Sequence, residues 1–284
     1  MVDKKVIYET GISMLPYGYT HAGKTALGVS SMWDFKKGKK VRDGKWVTIG
    51  REDNAALGVP EEMRIRLTSP DLSSLKFADD LLSLLKQIRR ENLACRKEGL
   101  PLKVQSFFLD GMSEYNLLFE KAYDEMGIGK GSFDKWNALL EKQFATMQLL
   151  DPTELGGCHV IVSARVQERR KGTADRKTNQ IIGEDSDNIF DDFYPAVRGS
   201  FRGHFPHYFD MVLYMERDVV AAKVKGVLKN NVPVHRIRLA PDAEYLVKNK
   251  WEHKWVEDDE APDVMDNASF DDILDIIKRL DSKE

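Results

Sequence analysis

Gly18-Tyr19-Thr20-His21-Ala22-Gly23-Lys24-Thr25 decides the reading of this chain, because it fits the spacing GxxxxGK[ST] at every position. Glycines let the backbone curl so that consecutive amides point inward at phosphate oxygens. A helix that follows directly aims its positive end at the same point. The short apolar run Gly11–Pro16 precedes the motif and Ala26–Met32 reads as the start of a helix, so the motif lies where a strand gives way to a helix. In this reading Gly18, Tyr19, Thr20, His21, Ala22, Gly23 and Ala26 cradle the phosphates of ATP. Lys24 bridges the β- and γ-phosphates, and the Thr25 hydroxyl coordinates Mg²⁺.

A phosphate loop of this kind needs a second oxygen ligand for magnesium at the end of an apolar strand. Phe107-Phe108-Leu109-Asp110 supplies one, so Asp110 is the expected water-mediated Mg²⁺ ligand. Hydrolysis also needs a group that activates water. Glu52 follows the strand Trp46–Ile49, and Glu114 stands four residues beyond Asp110. Spacing alone leaves both open.

Outward from the loop, apolar strands alternate with helical patterns, which predicts an α/β sheet. Ser69-Pro70-Asp71 reads as a helix start, followed by Leu75, Ala78, Leu82, Leu85 and Ile88 on one face. Two further helices are expected over residues 113–126 and 134–150, and His159–Ser163 reads as the next buried strand. Residues 165–193 are long, polar and weakly patterned; 34–45 read as a polar loop or hairpin. Phe209–Met215, Val234–Leu239 and Glu244–Trp251 read as closing strands.

The chain has 284 residues, with 43 basic and 46 acidic side chains, a formal net charge of −3. That near-neutral figure hides a split: residues 256–284 carry 11 acidic and 3 basic groups, a net of −8, leaving a body of net +5. The division of the chain expected from this is a core over residues 1–255 and an acidic, flexible tail over 256–284. Within the tail, Phe270, Ile273, Leu274 and Ile277 share one face of a short amphipathic helix. No run approaches the roughly 18 apolar residues of a membrane span, and Met1–Lys5 lack the apolar stretch of a secretory leader. Cys95 and Cys158, the only cysteines, are far apart and read as buried thiols of a reducing, cytoplasmic compartment. His204 and His207 stand beside Asp210 but lack further ligands, so a turn that packs its aromatics is the better reading than a metal site.

The phosphate loop, Phe107–Ser113, His159–Ala164, Tyr194–Gly199, Phe209-Asp210 and Tyr245–Trp251 together resemble the RecA-like nucleotide-binding proteins encoded by phages, including the Sak-type single-strand annealing ATPases. The likeness covers roughly residues 10 to 255. It implies a RecA-like P-loop NTPase core with a mostly parallel central sheet and closing antiparallel strands. It further implies an ATPase that assembles on single-stranded DNA, as a ring or filament, in recombination or annealing. It places the water-activating glutamate after the strand that follows the phosphate-loop helix, which falls on Glu52. It also assigns Lys248 and Lys250 to a finger that reaches a neighbouring subunit's nucleotide. The chain departs from the pattern in the insertion 34–45 and at the γ-phosphate sensor, for which Ser163, Arg165 and Gln167 are candidates.

Two basic clusters suit single-stranded nucleic acid, where cations neutralise phosphates and rings stack on bases. Lys36–Lys45 holds six basic residues flanked by Trp33, Phe35 and Trp46. The second comprises Arg165, Arg169, Arg170, Lys171, Arg176 and Lys177, and follows the strand that leads into a DNA-binding loop in RecA-like folds. The acidic tail is expected either to compete with DNA for these clusters or to dock a partner, such as a single-strand-binding or replication protein, through Phe270, Ile273 and Ile277. Other readings of the same residues are a nucleotide-binding protein that does not hydrolyse ATP, or a P-loop kinase with an arginine-rich lid at 165–177.

Overall fold

A computed structural model describes residues 11–49, 58–67, 75–125, 133–170, 173–174, 181–182, 190–197, 204–224, 227–240 and 245–282. Five strands lie side by side and parallel: β1 (Ser13–Gly18), β4 (Gly44–Ile49), β5 (Arg64–Leu67), β6 (Ser106–Asp110) and β7 (His159–Val162). Two further strands, β12 (Met211–Val224) and β13 (Val227–Arg238), form a long antiparallel hairpin whose first strand joins β1 in parallel. With β15 (Val264–Asp266) at the edge, the order is β15-β13-β12-β1-β7-β6-β4-β5. The protein is thus α/β, with a mostly parallel central sheet closed by antiparallel strands. One strand, β7, separates the phosphate-loop strand β1 from the Asp110 strand β6.

Strand side chains alternate between faces, and here both faces are dry. Leu15, Tyr17, Val47, Ile49, Phe107, Leu109, Val160 and Val162 point into one core. Met14, Trp46, Phe108, Ile161, Leu213 and Met215 point into the other. The first face is covered by α2 (Lys76–Lys97), α3 (Met112–Glu125) and α4 (Phe133–Leu149). The start expected at Ser69–Asp71 lies outside the described residues. The buried face of α2 runs through Phe77, Ala78, Leu81, Leu85 and Ile88, so Leu81 takes the place expected for Leu82. Its buried Asn92 ties the layer together: Nδ2 donates to the carbonyls of Val104 and Leu155, each at 2.8 Å.

The second face is covered by α1 (Lys24–Ser30), by the short α5 (Glu252–Val256) through its buried Trp255, and by the C-terminal α6 (Phe270–Ser282). Phe270, Ile273, Leu274, Ile277 and Leu280 of α6 are buried against Leu27, Val29, Met32 and Trp46. The Phe270 amide donates to Ser30 Oγ at 2.8 Å, and Asp271 pairs with Arg42 at 2.6 Å. The expected flexible tail is therefore corrected: its helix is a structural layer, because an apolar stripe of five residues gains more from the exposed sheet face than from water. The same burial removes Phe270, Ile273 and Ile277 as a docking surface for a partner. Much of the tail's charge is matched internally, through Arg279 with Asp258 and Glu260 and Lys254 with Asp281.

Three segments differ from the expectation read in the sequence. Residues 165–193 include a strand pair, β8 (Ala164–Arg170) antiparallel to β11 (Phe190–Pro195), with short strands β9 (Thr173–Ala174) and β10 (Ile181–Ile182) between them. Only the inner end of the pair, at Ala164, Val166 and Phe193, meets the core, so little apolar alternation shows in the sequence. The hairpin β12–β13 runs well past its expected apolar segments because its outer halves satisfy each other's backbone groups. The closing stretch reduces to β14 (Lys248–Asn249), with an isolated bridge from Tyr245 to Phe193. The insertion 34–45 is a hairpin of β2 (Trp33–Asp34) and β3 (Lys39–Lys40) that leads into β4.

His159, the first residue of β7, faces α6, its ring 5.1 Å from that of Phe270, and its Nδ1 accepts the Ile12 amide at 3.1 Å. Burial, with the Arg42 charge adding to it, pushes its pKa down to about 4. The unfolded chain then binds a proton below pH ~6.5 that the folded chain refuses until about pH 4, so stability falls as pH drops through that window. Urea unfolding should show a loss of about 2 kcal/mol between pH 7 and pH 5, and His159→Gln should flatten that slope.

Candidate nucleotide site

The phosphate loop joins the end of β1 to α1, at the C-terminal ends of the parallel strands, where a ligand crevice belongs in an open α/β sheet. Gly23 has φ 91°, and a Cβ there would lie 2.6 Å from the His235 ring. Gly18 passes so close to β12 that a Cβ would meet the Met215 carbonyl oxygen at 2.0 Å. Both positions therefore need glycine for space, and Gly23 for conformation as well. His21 also takes a positive φ, 66°. Thr20, His21, Ala22, Gly23, Lys24, Thr25 and Ala26 all line a cleft of about 610 Å³. Gly18 and Tyr19 are not part of its lining; Tyr19 is 46% exposed, with its ring against Phe193.

Lys24 Nζ donates to the carbonyls of Gly18 at 2.9 Å and Tyr19 at 2.7 Å, which holds the ammonium over the loop. Thr25 Oγ1 donates to Asp110 Oδ2 at 2.8 Å. The other Asp110 oxygen accepts the Ser163 hydroxyl at 2.5 Å, and Ser163 Oγ accepts the Gly111 amide at 3.0 Å. Because β7 lies between β1 and β6, its last turn delivers Ser163 to the carboxylate that faces Thr25. Of the three sensor candidates, Ser163 and Arg165 line the cleft. Paired hydroxyl and carboxylate oxygens are the hard donors that Mg²⁺ takes, with water and phosphate completing the shell. Among the described residues no cluster of three His, Cys, Asp or Glu side chains could hold a metal by itself. The Thr25–Asp110 pair fits a metal that is bound mainly through nucleotide and water.

Glu114 lines the same cleft, and its carboxylate is paired with the Arg165 guanidinium. Ser113 fixes the start of β8 beside them, accepting the Arg165 amide at 2.9 Å and donating to the Ala196 carbonyl at 2.9 Å. Glu52 lies outside the described residues, although β4 ends next to Asp110 with Thr48 in register with it. Three further side chains in the cleft, Arg217, His235 and Asn267, come from β12, β13 and the segment before α6. Nothing in their local sequence marks them, since they owe their position to the pairing of β12 with β1 and of β13 with β12.

The remaining expected site residues lie elsewhere. Lys248 and Lys250 sit at the opposite end of the sheet, where β14 pairs with the first residues of β12. Lys248 Nζ donates to the Phe209 carbonyl and Lys250 pairs with Asp210 at 3.0 Å. Burial lowers the Lys248 pKa. Asp210 in turn clamps β1 through the Ser13 amide at 2.9 Å and hydroxyl at 3.0 Å. Of the second basic cluster, Arg165 is in the cleft, Arg169 and Arg170 lie on β8 opposite Asp192 and Phe190, and Lys171, Arg176 and Lys177 fall outside the described residues. In the first cluster Lys37 pairs with Asp34, Lys40 with Asp43 and Arg42 with Asp271. His204 precedes and His207 lies within a 3₁₀ turn, Phe205–Tyr208, that buries Phe205 and Pro206.

No known protein family profile matches the chain, and no curated protein matches it. Among solved structures, it is similar to the assembled ATPase EscN, determined in complex with its central stalk EscO from the type III secretion system of enteropathogenic E. coli. The identity is 10%, the TM-score 0.42, and the match covers 72% of this chain and 42% of that one. The chain thus spans less than half the length of that protein. No helix among the described residues is long and apolar enough to cross a membrane.

Proposed function

We propose that the chain binds ATP with Mg²⁺ and hydrolyses it, and that it does so as a self-assembling, phage-type recombination or annealing protein on single-stranded DNA. The observation that carries the nucleotide reading is the convergence of Lys24, Thr25, Asp110 and Ser163 at the head of three neighbouring strands. In this reading the loop amides and Lys24 hold the β- and γ-phosphates, and Thr25 and Asp110 hold the metal. Ser163 orients Asp110, and a glutamate activates water. The metal, when bound, would neutralise charge on the transferred phosphoryl group.

The DNA reading is supported by Arg165 at the mouth of the cleft and by the basic strand β8 that leads away from it, so an anion bound along β8 would be felt at Glu114 through the Arg165 pair. Lys250, 63% exposed, is the better of the two lysines for a contact with a second copy, because Lys248 is engaged with a backbone carbonyl.

Phosphate release from Mg²⁺-ATP, measured with and without a single-stranded oligonucleotide, tests both halves. Turnover should rise with the oligonucleotide, fall back at higher salt, and drop at least a hundredfold in Asp110→Asn. Loss of turnover with retained ATP binding in either Glu52→Gln or Glu114→Gln would identify the water-activating group, at a cost of about 10²–10⁴. ATP binding without any release in the unaltered chain would overturn the hydrolytic part. Turnover indifferent to every oligonucleotide would remove the DNA part.

A further inference from the structure

A second cavity, of about 350 Å³, opens beside the phosphate cleft. The two share Gly23, Ala26, His235 and Asn267, so they meet at the first turn of α1. Their chemistry differs. The phosphate cleft carries Lys24, Asp110, Glu114, Arg165 and Arg217. The second cavity is walled by Leu27, Met215 and Ile237, with Trp33 and Phe35 on the side of the β2–β3 hairpin, while Asp34, Lys36, Lys37, Asp271 and Asp272 also line it.

A nucleotide held by its outer phosphates at Lys24 and Thr25, beside Asp110, must lead its sugar and base away from the metal end. The flat apolar face of a base needs an aromatic or aliphatic wall, and of the two connected cavities the second carries the large ones, Trp33, Phe35, Leu27, Met215 and Ile237. We propose that the nucleoside end of the nucleotide occupies this cavity, its base against Phe35 and Trp33 and its sugar near His235 and Asn267. His235 is placed for such a contact, since it lines both cavities, its ring packs on Gly23, and its Nδ1 has no hydrogen-bond partner among the described residues. Asn267 fixes that strand from the other side, accepting the His235 amide at 2.9 Å and donating its own to the His235 carbonyl at 2.7 Å. The inserted hairpin and the C-terminal segment then act together: Arg42 and Asp271 join them at 2.6 Å, and that junction shapes the nucleoside cavity. The inference rests on the nucleotide-binding reading above.

The test compares equilibrium binding of ATP and of inorganic tripolyphosphate, both with Mg²⁺, to the full chain and to Phe35→Ala, Trp33→Ala and Lys24→Ala. Phe35 is 38% exposed, so its truncation leaves the core intact. The expected result is that Phe35→Ala binds ATP roughly tenfold more weakly and tripolyphosphate as before. Unchanged ATP affinity in both Phe35→Ala and Trp33→Ala, with loss in Lys24→Ala, would overturn the nucleoside cavity while leaving the phosphate site standing. Equal weakening of both ligands in Phe35→Ala would also overturn it, since the effect would then lie in the phosphate loop. If neither ligand binds, or if Lys24→Ala changes nothing, the nucleotide-binding reading fails and the cavity inference with it.

Discussion

Lys24→Ala is expected to abolish ATP turnover, by about 10³-fold or more, while leaving thermal stability within about 0.5 kcal/mol of the unaltered chain. The ammonium is held by the Gly18 and Tyr19 carbonyls, above the loop and away from both hydrophobic cores. Its removal therefore deletes charge at the phosphates without opening a cavity. Lys24→Arg should fail nearly as badly, because a planar guanidinium fork cannot take the place of a compact ammonium between two loop carbonyls. Parallel phosphate-release and unfolding measurements check both statements. Turnover within tenfold of the unaltered chain in Lys24→Ala would show that the loop does not serve ATP chemistry.

Removing residues 257–284 is expected to unfold the protein or cost it most of its stability, even though the deleted stretch is acidic. The deletion strips Phe270, Ile273, Leu274, Ile277 and Leu280 from the second core and exposes Leu27, Val29, Met32 and Trp46 to water. Single truncations give the graded version: Ile273→Ala and Ile277→Ala should each destabilise by about 2–5 kcal/mol in urea unfolding. Asp275, on the exposed side of the same helix, should tolerate alanine with a change under about 0.5 kcal/mol. A tail that only competed with DNA would behave in the opposite way, leaving stability unchanged and strengthening DNA binding when deleted. Normal unfolding midpoints for the deletion and for both isoleucine variants would restore that view.

Much of the candidate site's placement was legible because its determinants are local. Gly18, Gly23, Lys24 and Thr25 carry their meaning in spacing, and Asp110 carries its own in ending an apolar strand. The helix at 270–282 was legible too, through the period of its apolar residues, but its destination was not: charge density suggested solvent, and the periodicity says only that one face seeks a partner. The mixed polar segment 165–193 hid β8 and β11 because only their inner ends, at Ala164, Val166 and Phe193, meet the core.

The sequence by itself determined an α/β chain with the GxxxxGK[ST] motif between a strand and a helix and with Asp110 ending an apolar strand. Tertiary structure alone decided that Ser163 closes on Asp110, that Glu114 is tied to Arg165, and that Arg217, His235 and Asn267 enter the cleft. It also decided that Lys248 and Lys250 stand at the far end of the sheet and that the acidic tail is a wall of the second core. The physical reason is the same throughout. Spacing and period are fixed by bonds between near neighbours. Strand order and the packing of helices on the sheet join residues up to 240 positions apart, as between Ser30 and Phe270, and are set by burial of the whole chain at once.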